Sequence, residues 1–275
     1  MTNLATRIFN RIFGRSRKDF DNRAPTVSPL FQFVDPDRLL PAEKLLRLGT
    51  PYGGWIIPQD SGITADSVCY SAGAGEDISF DCALAERFHC RVRIIDPTPR
   101  AIEHFEQLRQ AVGAGRRFPI NNSDVDYYSI TPADIERLTF VPVGLADEDV
   151  EKNFYLPRNP AHVSCSMVNL QKTEEFFTAQ CERLPSIMSK MGDRSIDLLK
   201  MDIEGGEYRV LRDLVDVGNM PKLLLVEFDE AHTPLDSDAP SRIKEHIDML
   251  VQAGMNCIAI EGSNATFMRT AEISR

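Results

Sequence analysis

With 275 residues, 43% of them hydrophobic and 26% charged, the chain has the composition of a globular protein able to bury a sizeable core. Its longest aliphatic run, residues 223–226, is far short of the roughly 20 residues that span a bilayer, and no continuous apolar stretch near the N-terminus reads as a secretory signal. A net charge of −10 argues against a general nucleic-acid binder, because an acidic body repels a phosphate backbone. The six cysteines form no C-x-x-C pair and no zinc spacing, so they read as small buried residues in a reducing, cytoplasmic setting.

In chain order, residues 1–18 come first, with Arg7, Arg11, Arg15, Arg17 and Lys18 and no acid. Ala5, Ile8, Phe9, Ile12 and Phe13 fall at helical spacing, which predicts a short basic amphipathic helix ending at Gly14. Three fates are open to it: packing on its own domain or a partner, peripheral contact with an anionic membrane, or disorder. With the charged, Pro-containing linker that follows, it makes an N-terminal segment, residues 1–36, ahead of a body at 37–275.

From residue 67 strands and helices alternate, the pattern of a parallel sheet flanked by helices. A strand at 67–72 ends in Gly73-Ala74-Gly75, and Asp77 caps a helix carrying Phe80, Leu84 and Phe88. A second strand at 91–96 precedes a helix opened by Thr98-Pro99 and stopped at Gly113, and a third strand is expected at 139–146. Residues 147–194 break the rhythm and read as an insertion with extra strands at 154–156 and 176–184. Strands at 196–201 and 222–228 each lead into a helix, and two strands at 256–260 and 265–269 close the chain as a hairpin. A pure NAD-type doubly wound domain would instead continue β-α-β to its end.

The glycine turn lies where an α/β sheet binds a nucleotide, since glycines let backbone approach a ligand and a helix start offers free N–H groups. A tight structural turn would read the same way. Glu76 and Asp77 tip the balance toward a ligand with a cationic end, because two carboxylates there repel a pyrophosphate. Asp96, at the end of the second strand, is placed to accept ribose hydroxyls or to cap the next helix. Asp202 and Glu204 follow the fourth strand, and Glu227 ends the fifth with His232 close behind. Acids converging there can serve as general base or hold a divalent cation such as Mg²⁺; the bland alternatives are helix capping and a solvated acidic loop at 229–230.

The stretch Ile196-Asp197-Leu198-Leu199-Lys200-Met201-Asp202-Ile203-Glu204-Gly205-Gly206-Glu207-Tyr208 resembles the signature of FkbM-type methyltransferases, and the resemblance extends over about residues 50–262. It implies a Rossmann-like class I methyltransferase fold, with a mostly parallel seven-stranded sheet whose last strand is antiparallel. It also implies S-adenosylmethionine as cofactor and O-methylation of a sugar, glycan or small-molecule hydroxyl. Carried onto this chain, Gly73 and Gly75 line the methionine end, Asp96 the ribose, and Asp202 the junction of cofactor and acceptor; Asp77, Pro97 and Gly144 belong to the same matching segments. Ser71 stands where many methyltransferases have an acid, a charge Glu76 is expected to supply. Asp202, Glu204, Glu227 and His232 are the candidate bases, and residues 52–55 and 147–185 the expected acceptor contributors. Two rival readings are an NAD-dependent oxidoreductase and a catalytically silent binding protein of the same fold.

Overall fold

The computed structural model describes residues 27–121, 126–158, 165–169 and 172–270. The basic amphipathic segment at 1–18 lies outside the described residues. Short 3₁₀ turns at Pro29–Phe33 and Pro36–Arg38 lead to a hairpin of β1 (Leu45–Leu48) and β2 (Trp55–Pro58). The alternating body follows as β3 (Val68–Ala72), α1 (Ser79–Phe88), β4 (Arg91–Ile95), α2 (Pro99–Gly113), a single turn α3 (Pro132–Ile135) and β5 (Leu138–Val141). Next come β6 (Gly144–Leu145), β7 (Val150–Tyr155), β8 (Phe176–Glu182) and α4 (Leu184–Met191). The chain closes with β9 (Leu198–Met201), α5 (Glu207–Asp216), β10 (Leu223–Glu227), α6 (Ala239–Gln252), β11 (Met255–Glu261) and β12 (Asn264–Arg269).

Seven of these strands form one sheet in the order β11-β12-β10-β9-β3-β4-β5. β12 runs antiparallel to both its neighbours, and the pairings among β10, β9, β3, β4 and β5 are parallel. The expected mostly parallel seven-stranded sheet with an antiparallel last strand is therefore present. Its central strands are apolar runs rather than alternating ones, as a sheet covered on both faces requires: β3 and β9 are buried along their whole length. One cluster packs α1, α2 and the β1–β2 hairpin on one face, and a second packs α4, α5 and α6 on the other. Fully buried leucines such as Leu224 and Leu225 face opposite clusters, each worth about 1.5–3 kcal/mol by burial. From β3 the chain winds outward through β4 and β5, and after the insertion it returns to the other side through β9. That reversal opens a crevice at the carboxyl ends of β3 and β9, where such sheets bind ligands.

Three local expectations change. The strand expected at 139–146 is two strands, because Pro142 has no N–H for the ladder; Val143 N turns back on Val141 O at 2.8 Å. β6 then joins β7 and β8 in a separate three-stranded sheet. The strand expected to run to residue 184 stops at Glu182, since Pro185 near its N-terminus starts α4, which buries Leu184, Ile187 and Met188. The helix expected to be capped by Asp77 begins one residue later, although Asp77 Oδ1 still accepts from Ser79 N at 3.0 Å.

Candidate active site

The turn after β3 is built by backbone geometry. Gly73 has φ +82°, and a Cβ there would lie 1.6 Å from Asp202 O, so only glycine fits. Gly75 also has positive φ. Asp96, buried at the end of β4, fastens this turn: its Oδ2 accepts from Ala74 N (2.8 Å) and Gly75 N (3.1 Å). Its Oδ1 accepts from Thr98 N (2.8 Å) and Thr98 Oγ1 (2.6 Å). Each carboxylate oxygen offers about two lone-pair directions, so all four are engaged by these bonds. Beneath the turn, Tyr128 Oη accepts from Ile78 N at 3.1 Å and pairs with His104 Nε2 at 2.9 Å.

The two acids beside the turn are already partnered. Arg100 holds Glu76 through both carboxylate oxygens, at 3.0 and 2.8 Å. Asp77 Oδ2 accepts from Thr50 Oγ1 (2.6 Å) and Asn121 Nδ2 (3.0 Å). Both line the cleft, yet the charge expected from Glu76 is largely spent on Arg100. Ser71, expected on the cofactor side, does not line the cleft; it is buried in β3 beside its β9 partner Lys200, whose longer side chain does reach the cleft.

Lys200 lines the cleft, a placement that the strand pattern hides. It is buried, and its Nζ donates to Ala72 O at 3.2 Å and to Gly73 O, lies 3.5 Å from Asp202 Oδ2, and sits 5.6 Å from the centre of the Trp55 ring. On the same side, burial pushes Asp81 up to about 6 against the opposing charge of Lys200. The loop after β9 is held from within: Glu207 accepts from Ile203 N (2.7 Å) and Gly205 N (2.9 Å). Burial, then the neighbouring charges of Asp202 and Glu204, push Glu207 up to about 8. Glu204 sits at φ +56°, a left-handed conformation that costs a non-glycine residue about 1–2 kcal/mol, and Ser166 Oγ donates to its carbonyl.

At the end of β10, Glu227 accepts from Ser263 Oγ at 2.7 Å. Burial and the negative charge of Asp202 push its carboxyl up to about 8. The acidic loop at 229–230 is not solvated. Asp229 is buried, with Oδ2 lacking a hydrogen-bond partner, and burial followed by the surrounding acids pushes it up to about 10. Glu230 is also buried, paired with Arg242 from α6. His232 is exposed at the rim.

These residues line one cleft of about 690 Å³. It brings together Gly73, Gly75, Glu76, Asp77, Asp96, Pro97, Gly144, Asp202, Glu204, Glu227 and His232, leaving out only Ser71 of the expected set. Residues 52–55 and Phe154, Cys165 and Met167 of the insertion complete its walls.

A parallel sheet reversed at β3, closed by an antiparallel β12 and carrying this glycine turn, is the Rossmann-like architecture of a methyltransferase. The family model of the FkbM methyltransferase domain matches residues 72–254, well over half of the chain, and the chain belongs to that family. No curated protein matches its sequence. Among solved structures it is similar to a precorrin-6y C5,15-methyltransferase from Geobacter metallireducens GS-15, at 9% identity and TM-score 0.35, over 76% of this chain and 81% of that one. The mitomycin 7-O-methyltransferase MmcR is similar at 12% identity and TM-score 0.32, over 76% of this chain and 53% of that one. Among the described residues no helix is long and apolar enough to cross a membrane.

Proposed function

We propose that the chain is an S-adenosylmethionine-dependent O-methyltransferase acting on a hydroxyl of a sugar, glycan or small molecule. The observation that carries the reading is the placement of Asp202 and Glu227 in the same cleft as the glycine turn, with Lys200 paired to Asp202. The donor set fits a cationic, phosphate-free cofactor: Glu76 is matched by Arg100, but Asp77 and Asp96 beside the turn are held by neutral donors, an arrangement that disfavours a dinucleotide's pyrophosphate. When bound, S-adenosylmethionine supplies a methyl group activated by its sulfonium.

Gly73 and Gly75 let backbone approach the methionine end, and Asp96 holds the turn and accepts from the ribose. Pro97 and Gly144 shape the adenosine side of the cleft. An alcohol is a poor nucleophile until its proton leaves, so a carboxylate must stand beside the acceptor oxygen. Asp202 is the base in this reading: its backbone is locked by Asp202 N to Ala72 O at 3.1 Å, and Lys200 steadies its charge. Asp202 would take up the proton of the acceptor hydroxyl as that oxygen is methylated, with Lys200 balancing the charge of the carboxylate beforehand. Glu204 and His232 flank the acceptor side. The anionic walls suit a neutral or cationic acceptor and disfavour a phosphorylated one.

The test has two stages. Calorimetric titration should show S-adenosylhomocysteine binding and no binding of NADH, and Asp96→Ala should weaken that affinity about 10- to 150-fold, the equivalent of about 1.5–3 kcal/mol. Transfer of a labelled methyl group into fractionated extract then identifies the acceptor pool. Binding of NADH alone sinks the cofactor assignment. Cofactor binding with no transfer into any hydroxyl-bearing pool favours the silent binding protein.

A further inference from the structure

The segment Glu227-Phe228-Asp229-Glu230-Ala231-His232 sorts its side chains by local geometry. Phe228 is buried in the apolar cluster and Glu230 turns to Arg242, while Glu227 and Asp229, at the alternate positions, both line the cleft. A 3₁₀ turn over Asp229–Ala231 follows, with His232 N bonded to Asp229 O at 3.1 Å. A 3₁₀ turn eclipses positions three apart, which stacks His232 over Asp229. One carboxylate oxygen of Glu227, one of Asp229 and one ring nitrogen of His232 consequently lie within 4.8 Å of one another.

We propose that Glu227, Asp229 and His232 form a binding site for one divalent transition-metal cation, Mn²⁺ or Zn²⁺, in the wall of the cleft. Ligand bonds of about 2.0–2.2 Å put coordinating atoms roughly 3–4 Å apart, so a small inward rotation of the exposed His232 completes the set. Asp229 supplies the independent sign of a missing partner. It is only 6% exposed, and its Oδ2 is buried without a hydrogen bond. A buried carboxylate oxygen left bare is costly, and among the described residues no lysine or arginine pairs with any of the three. An imidazole nitrogen beside two carboxylates favours a transition metal over Mg²⁺ or Ca²⁺, which prefer oxygen throughout. Three protein ligands leave coordination positions open to water or to an acceptor oxygen. The site itself needs no cofactor; its place beside the acceptor rests on the methyl-transfer reading.

The test uses the full chain stripped with EDTA. Electron paramagnetic resonance of free Mn²⁺ and equilibrium dialysis with Zn²⁺ should each show one cation per chain. Asp229→Asn and His232→Ala should each weaken binding at least about 10- to 100-fold, the loss that even outer-shell changes cause. His232 is exposed, so His232→Ala keeps the fold, which an unchanged melting temperature verifies. Absence of saturable binding up to about millimolar cation, or binding untouched by both substitutions, overturns the site. Titration with S-adenosylhomocysteine in the same samples separates the two readings. A protein that binds cation but not that ligand keeps the metal site and loses the cofactor assignment, and the converse loses only the metal.

Discussion

Replacing Gly73 by alanine tests whether the glycine turn and the Asp202 loop form one rigid unit. Alanine at φ +82° pays about 1–2 kcal/mol for the left-handed conformation. Its Cβ would also meet Asp202 O at 1.6 Å, so the ends of β3 and β9 must part by about 2 Å to reach ordinary contact. Two hydrogen bonds resist the movement: Asp202 N to Ala72 O at 3.1 Å joins the two ends, and Gly73 N to Ile95 O at 3.0 Å ties the end of β3 to β4. Stretching both adds about 0.5–1.5 kcal/mol each, for a total of about 2–5 kcal/mol. Gly115 is the control: its φ is +65°, with nothing within 4 Å of an added Cβ, so Gly115→Ala pays the backbone cost alone. At about 2–4 °C per kcal/mol, Gly73→Ala should melt roughly 4–20 °C below wild type and Gly115→Ala roughly 2–8 °C below. Calorimetry should show that Gly73→Ala also loses at least about tenfold in S-adenosylhomocysteine affinity, about 1.4 kcal/mol, while the control keeps it. A Gly73→Ala protein that melts with the control and binds like wild type refutes the reasoning.

Two further outcomes follow from buried charge. Burial works against the charge of Asp193, yet hydrogen bonds from Arg93 and Tyr70 and the charges of Arg93 and Arg91 hold its carboxyl below the usual range. A depressed folded-state value means that the network's stabilisation is present above the ordinary carboxylate range and lost as pH falls through the folded value. Asp193→Asn should therefore be less stable than wild type at neutral pH, with the gap narrowing in urea titrations as pH falls below the ordinary carboxylate range; a gap constant with pH would rule this out. Lys200→Met removes the cation beside Asp202 and Asp81 and should cost a few kcal/mol, near the low end of the ~3–5 kcal/mol for a broken buried pair because Asp202 is part exposed. An unchanged melting temperature would show that Lys200 carries no such load.

The alternating body was legible because each of its elements carries a local signal long enough to read. Apolar strands followed by capped, periodic helices announce β3 to α2 and β9 to α6, and the closing hairpin separates this sheet from a dinucleotide fold. The β1–β2 hairpin was not legible, since two four-residue strands offer too short a pattern and gain their place by packing on α1 and β11. α4 was not read, and the strand expected at 176–184 overran its start, because Phe176–Glu182 runs into it without a glycine or a side-chain cap at Arg183. Within the site, a lysine in a strand reads as solvent-facing, so nothing local marks Lys200 as buried beneath the glycine turn. Asp229 and Glu230 look solvated in sequence, and only the arrival of α6 with Arg242 shows that they are enclosed. Partnering is likewise a long-range fact: Arg100, which neutralises Glu76, stands 24 positions away.

The fold handles its buried acids in two ways, and the contrast bears on function. Away from the cleft they are matched: Asp193 with Arg91 and Arg93, Glu230 with Arg242, and Glu182 with Lys190 at 2.6 Å. At the ends of β9 and β10 they are crowded instead, with Glu207 and Glu227 pushed up to about 8 and Asp229 to about 10. Stability alone would favour an arginine or an apolar side chain there, and the proposed function gives the crowding a reason, a positive charge that arrives from outside. On the proposed reading the cofactor brings one as its sulfonium. The consequence is measurable with an analogue of S-adenosylhomocysteine that carries a protonated amine where the sulfur sits. A unit charge about 5 Å from a carboxylate at an effective dielectric of about 20 is worth about 3 kcal/mol, and desolvation and screening leave about 1–2 kcal/mol. The amine should therefore bind about 5- to 30-fold more tightly than S-adenosylhomocysteine. Asp202→Asn removes one carboxylate with little change of shape and should erase most of that preference while sparing affinity for the neutral thioether. Should the amine bind no more tightly than the thioether, or should its advantage persist in Asp202→Asn, the cleft is not built around a sulfonium and Asp202 is left as a residue that orders its loop.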